Sequence, residues 1–189
     1  QHFGYRRQRQ MCIRDRCRPD PQFVRHLTRQ ISKAIIEANG NVEPASIGWG
    51  TAEVPEEVSN RRWFVKPQAL KPNPFGGTND KVRMNPPRGT GLLIRPAGPV
   101  DPTVTFLSVR NASGQPLSLL ANYGLHYVGS TPPGELSADY FGEFARQIAS
   151  RLKAKDSFVG IMSNGASGDV NNYDFVNPRP RSDPFVRIK

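Results

Sequence analysis

Apolar residues recur every four positions at Phe23, Leu27, Ile31 and Ile35, the spacing of one face of an α-helix. Asp20 ahead of Pro21 offers an N-cap and a first helical residue with φ already fixed, and Gly40 offers a stop. A helix that packs on a sheet is predicted from about Pro21 to Asn39. A second helix is predicted from about Ala138 to Lys153, with Ser137 as its N-cap. Phe141, Phe144, Ile148 and Leu152 line its apolar face, and Ala145 and Ala149 allow close approach to a sheet. Short runs rich in β-branched and apolar residues predict strands at Ser46–Thr51, Leu92–Arg95, Thr103–Arg110, Pro116–Tyr123 and Phe158–Met162. Asn111-Ala112-Ser113-Gly114 turns the chain between two of them. The stretch from Glu53 to Thr90, rich in Pro, Gly and Asn, reads as one long loop, functional or packed by its own side chains. Strands interleaved with helices predict an α/β fold, a layered domain with a mixed β-sheet flanked by helices. Asp183-Pro184 repeats the helix start of Asp20-Pro21 about one turn before Lys189, so the domain is expected to be incomplete at both ends.

Charge changes this picture only at the N-terminus. Of the net charge of +10, half sits in residues 1–18, where six Arg face one acidic residue, Asp15. The string Met11-Cys12-Ile13-Arg14-Asp15-Arg16 looks like a translated sequencing-adapter scar and has no helical or strand periodicity. Residues 1–18 are therefore expected to be a non-native or disordered segment, the alternative being a natural basic arm, and residues 19–189 to form the domain. Both cysteines, Cys12 and Cys17, lie in that segment, so the rest of the chain offers no disulfide and no thiol nucleophile. A nucleic-acid partner is not expected, because no interleaved basic and aromatic pattern follows residue 18. No stretch reaches the roughly 18 apolar residues of a membrane span.

Two segments carry candidate chemistry. His126 follows the apolar strand 116–123, and the C-terminal ends of strands are where α/β sheets hold ligands. On spacing alone a hydrogen-bonded structural role is the commoner fate of such a lone histidine. The loop Ser163-Asn164-Gly165-Ala166-Ser167-Gly168-Asp169-Val170-Asn171-Asn172 follows another strand. Its small residues let backbone approach a ligand, and Asp169 could orient a base or a metal ligand. It lacks the Gly-Lys-Ser/Thr ending of a phosphate loop.

From about Pro21 to Lys189 these segments, in their order and spacing, resemble the catalytic domain of the neutral/alkaline ceramidases. In that family a buried strand ends in a zinc-binding histidine, which matches His126. A helix after an acidic turn follows, here Leu136-Ser137-Ala138-Asp139-Tyr140-Phe141-Gly142, and then a Phe-Val strand leading to Gly-Asp-Val, here Phe158-Val159 and Gly168-Asp169-Val170. Asn60-Arg61, within Val58-Ser59-Asn60-Arg61-Arg62-Trp63, matches the family's Asn-Arg motif, whose arginine binds or polarises the scissile group. Read without the resemblance, Arg61 is a solvated loop cation.

The resemblance implies a zinc-dependent amidohydrolase that cleaves the N-acyl amide of ceramide-like lipids, with Arg61, Asp169 and Asn171 at the catalytic site and His126 as a metal ligand. It also implies secretion or a periplasmic location, and peripheral contact with a membrane surface. One departure stands out: the family's nucleophilic serine position is Asn171 here, and an amide cannot serve as that nucleophile. The family's other zinc ligands, a His upstream and a Glu and a Tyr downstream, have no counterpart in this sequence. The chain alone is therefore expected to be inactive. The alternative is a catalytically degenerate domain that binds a lipid or a glycan on the same scaffold.

Overall fold

Asp20 adopts an extended conformation and its carboxylate accepts the Gln22 N–H at 2.9 Å, so the first helix starts as its sequence dictates. In the computed structural model, which describes residues 20–129 and 137–178, this helix, α1, spans Pro21–Gly40. The helix runs through Gly40, and its C-cap is Asn41, whose N–H reaches the Ala38 carbonyl at 3.2 Å. The chain divides into two units, residues 1–44 and 45–189. In the first, α1 buries none of its residues, and the stripe Phe23, Leu27, Ile31, Ile35 stays open. Residues 1–18 and the Asp183–Lys189 segment lie outside the described residues.

The second unit is built on a mixed four-stranded sheet. In chain order its strands are β1 (Ala45–Glu53), β6 (Thr103–Asn111), β7 (Pro116–Tyr123) and β8 (Val159–Asn164), and they lie side by side in that order. The first two junctions are antiparallel and β7–β8 is parallel. The β6–β7 hairpin turns because Asn111 Oδ1 accepts the N–H of both Ser113 and Gln115, while Gly114 takes a φ of 80°. A parallel pair needs a crossover, supplied by helix α2 (Asp139–Arg151). Gly160 of β8 lies under α2 so closely that a Cβ there would meet Ile148 Cγ2 at 2.8 Å and Ala145 Cα at 3.3 Å. Ala145, noted in the sequence, and Gly160, not noted there, are thus what lets helix and sheet touch. An apolar trough of about 510 Å³ runs between α2 and the sheet face, lined by Trp49, Phe106, Phe144 and Ile148 among others.

The expected loop from Glu53 to Thr90 is irregular over more than half its length but holds short strands that its sequence does not show. It holds β2 (Ser59–Asn60), β3 (Arg62–Val65) and β4 (Val82–Met84). With β5 (Leu93–Pro96), β3 and β4 make a second, three-stranded sheet in the order β4-β3-β5. Strands of two to four residues are too short to show a period, and Pro and Gly between them mask the rest. The 163–172 loop is also partly strand: β9 (Val170–Asn171) pairs with β2, Ser59 opposite Asn171 and Asn60 opposite Val170.

Two apolar clusters fill this unit. One joins Val58, Tyr123, Leu125 and Val170, with Met162 and Tyr140 against them. Each of its four buried members lies within three residues of a residue singled out in the sequence: Arg61, His126 or Asp169. The other joins Trp63, Val65, Ala69 and Phe175 beneath the small sheet. The fold therefore pins the candidate segments by burying their apolar neighbours.

Candidate functional site

The parallel pair β7–β8 sets up the site. Tyr123 and Asn164 are partners at its C-terminal end, and the Gly165 N–H continues the pairing to the Tyr123 carbonyl at 2.8 Å. A Cβ on Gly165 would meet Asn122 Oδ1 at 2.9 Å and the Gly124 backbone at 3.2 Å. Only glycine lets the two loops leave the sheet side by side, the one leading to His126 and the other to Asp169.

The loop that carries His126 is held from both sides. Leu125 is buried, and its carbonyl accepts the Tyr140 hydroxyl at 2.8 Å. Beyond His126, the Asp139 carboxylate accepts the N–H groups of Val128 at 3.0 Å and Gly129 at 2.7 Å, and that of Tyr140 at 2.7 Å. Asp139 does this from a left-handed φ of 54°. The helix start shifts accordingly: the N-cap position is Ala138, although the Ser137 hydroxyl still accepts the Asp139 N–H at 2.9 Å. Burial raises the Tyr140 phenol well above its ordinary range, and the Asp139 charge adds to the effect. Burial, with help from Glu57 and Glu56, pushes Tyr123 up to about 12, and its hydroxyl donates to the Val54 carbonyl at 2.7 Å. Both phenols therefore stay protonated donors at any physiological pH. The His126 ring is half-buried, lies 4.3 Å from the Tyr127 ring, and has Nδ1 3.5 Å from the Tyr127 carbonyl.

Asp139→Ala should cost about 2 kcal/mol of stability, since it leaves charge-assisted bonds unmade at half-buried N–H groups. Amide hydrogen exchange at residues 126–129 should quicken in parallel. Unchanged exchange there would show that the loop is held by something else.

Arg61 is not a solvated loop cation. Its N–H donates to the Asp169 carbonyl at 2.7 Å and its guanidinium Nη2 to the Gly168 carbonyl at 2.6 Å. Its carbonyl accepts the Asn85 N–H at 2.7 Å. Nε is buried and has no hydrogen-bond partner among the described residues. Asn60, 4% exposed, spreads its side chain over three segments. Its Nδ2 donates to the carbonyls of Gly98 at 3.1 Å and Pro99 at 3.3 Å, and reaches Asp169 Oδ2 at 3.4 Å, while Oδ1 accepts the Arg62 N–H at 2.8 Å. Asn171 donates to Asn85 Oδ1 at 3.2 Å, and Asn85 itself sits at a left-handed φ of 48°.

The fold thus brings Arg61, Asp169 and Asn171 together through the β2–β9 pair. His126 stands at the neighbouring strand end, and no hydrogen bond joins it to those three among the described residues. Sequence reading missed Asn85 and the Asp139–Tyr140 clamp. Asn85 carries one weak signal, a residue type that tolerates left-handed backbone just before a proline pair. The serines of the loop are committed elsewhere. Ser163 accepts from Asn122 Nδ2 at 2.9 Å and donates to the Ala121 carbonyl at 3.0 Å, and Ser167 accepts from Asn164 at 3.2 Å. Among the described residues, no hydrogen bond links either serine to a histidine that could act as base.

A catalytic zinc takes about three protein ligands. Among the described residues no three His, Cys, Asp or Glu side chains converge on one point. His126 is a single imidazole, so these residues do not by themselves fit a catalytic zinc, and the resemblance's metal is not accounted for by them. Among the described residues, no helix is long and apolar enough to cross a membrane.

A mixed sheet whose parallel strand ends carry a histidine loop and a Gly-Asp loop, braced by buried Asn60 and half-buried Arg61, defines an α/β domain with its polar residues gathered at one sheet edge. No family model matches the chain, and no curated protein does. Among solved structures it is similar to the neutral ceramidase from Pseudomonas aeruginosa, with 20% identity and a TM-score of 0.52, over 82% of this chain and 21% of that one. A structure described as a ceramidase complexed with C2 matches at 18% identity and a TM-score of 0.47, over 71% of this chain and 18% of that one. The fold is therefore ceramidase-like, and the chain spans about a fifth of the length of the enzyme it resembles.

Proposed function

We propose that the chain is part of an amidohydrolase that cleaves the N-acyl amide of ceramide-like lipids. The observation that carries this reading is Arg61: its backbone N–H bonds the Asp169 carbonyl and its guanidinium bonds the Gly168 carbonyl, which together hold the cation against the 168–169 loop. A fixed donor of this kind stabilises the oxyanion that develops as an amide carbonyl is attacked. Asp169 and Asn171 hold the shape of the site around it through Asn60 and Asn85. His126 would be one ligand of the zinc that such an enzyme uses, and that zinc would supply a water of lowered pKa and polarise a carbonyl. The place of action is outside the cytoplasm, secreted or periplasmic, as for the enzymes the sequence resembles.

The test uses an intact protein that carries this segment, assayed for fatty-acid release from an N-acyl sphingoid base. Release is expected, with loss of all turnover in His126→Ala and only a modest fall in Asn171→Ala. Undiminished turnover in the His126 variant, or a covalent acyl-enzyme trapped on Ser163 or Ser167, would sink the reading. Asn171 at the position of the family's nucleophile favours a second reading, a degenerate lipid- or glycan-binding domain. Binding of the lipid by the intact protein with no fatty-acid release would establish it.

A further inference from the structure

Of the twelve asparagines in the chain, only one opens an Asn-x-Ser/Thr triplet with x other than proline: Asn111-Ala112-Ser113. The triplet begins at the last residue of β6 and runs into the β6–β7 turn. Ala112, Ser113, Gly114 and Gln115 are exposed, and Asn111 is half-buried. The two ends of the Asn111 amide have separate surroundings. Oδ1 closes the turn, accepting the Ser113 N–H at 3.1 Å, the Ser113 hydroxyl at 2.8 Å and the Gln115 N–H at 2.9 Å. Nδ2 makes no hydrogen bond among the described residues, yet it is not one of their buried polar atoms without a partner, so it reaches solvent. The residue after the triplet is Gly114, where an added Cβ would meet nothing within 4 Å. The tip of the turn therefore leaves room for a bulky group.

We propose that Asn111 is the acceptor of an N-linked oligosaccharide, donated by a polyprenyl-pyrophosphate-linked sugar chain. In the transfer, Asn111 Nδ2 forms a bond to C1 of the first sugar and the C1–O bond to phosphate breaks. The lipid pyrophosphate leaves with that electron pair, and a base of the transferase takes one amide proton. The product keeps the whole of Oδ1, so all three bonds that close the turn survive the modification. A glycan is bulky and strongly solvated, and this turn accommodates it without displacing any contact of the fold. The turn precedes β7, whereas the candidate site lies beyond Tyr123 at the far end of that strand, roughly 25 Å away at about 3.3 Å per residue. The glycan thus leaves the site open. The inference rests on the location outside the cytoplasm proposed above and is independent of the reaction.

The test is translation of the full 189-residue chain, behind a cleavable signal peptide, with microsomes that hold an oligosaccharyltransferase. Only chains shielded from added protease are scored, which separates the competence of Asn111 from the natural location and from any activity. A single upward step in apparent mass is expected. Peptide-N-glycosidase should remove the step and leave an aspartate at position 111 of the peptide. Ser113→Thr should keep the step and Ser113→Ala should lose it. The alanine variant retains the backbone N–H groups that Oδ1 accepts, so its loss reports the missing hydroxyl rather than an opened turn. Shielded parent chains without the step would overturn the proposal. So would a step that persists in Ser113→Ala, or an aspartate appearing at a different asparagine.

Discussion

Phe175→Ala should lower the free energy of unfolding by about 3–5 kcal/mol, the range for removing a large ring from a closed core. Phe175 is 2% exposed and packs tilted against Trp63, ring centres 6.0 Å apart, with Val65 and Ala69 completing the cluster. Its carbonyl also accepts the Gly89 N–H at 2.9 Å. The ring fastens the chain just after Asn171 and Asn172 to the small sheet, so its loss should also loosen the β2–β9 pair that holds Asp169 beside Arg61. The alanine leaves a void that its neighbours cannot fill, since Trp63 is itself fixed by a 2.7 Å bond from Nε1 to the Asn60 carbonyl. Chemical denaturation of parent and variant measures the difference. A loss below about 1 kcal/mol would mean that the cluster collapses freely and does not brace the site.

Arg61→Ala in an intact, active protein should lower kcat/KM by about 10²- to 10³-fold, mostly through kcat, the signature of a donor that acts on charge developed in the transition state. Arg61→Lys should recover little. A planar guanidinium bonds Gly168 through Nη2 while Nε points elsewhere; an ammonium on a flexible stem cannot hold both directions. The lysine variant separates this role from simple charge, because it keeps the cation and changes only geometry. Full activity in Arg61→Lys would reduce Arg61 to a general electrostatic contribution. Activity within about threefold of the parent in Arg61→Ala would remove it from the reaction altogether.

Local signals in the sequence were enough for α1 with its Asp20-Pro21 start, the turn from Asn111 to Gly114 between β6 and β7, and the strand, helix and strand that become β7, α2 and β8. Each is written in neighbouring residues: a cap, a turn, an apolar period longer than two turns or four alternations. They were also enough to put His126 and the Asp169 loop at strand ends, because a strand's limit is a local property.

The rest required the chain to close on itself. The strands between Glu53 and Thr90 are too short to show a period, and β2 exists only because Val170–Asn171 lies beside it, more than a hundred residues away. Whether Arg61 is a solvated cation or a braced donor was undetermined until the carbonyls of Gly168 and Asp169 were brought to it. Asn60, Asn85 and Asp139 act through bonds to groups distant in sequence or through left-handed backbone, and neither property belongs to a residue type. Which side chains cap, turn and alternate was decided by the sequence itself, through forces that act within a few residues. Which polar groups meet at the site was decided by tertiary structure, because burying Val58, Leu125 and Val170 in one cluster is what carries their polar neighbours to the same edge.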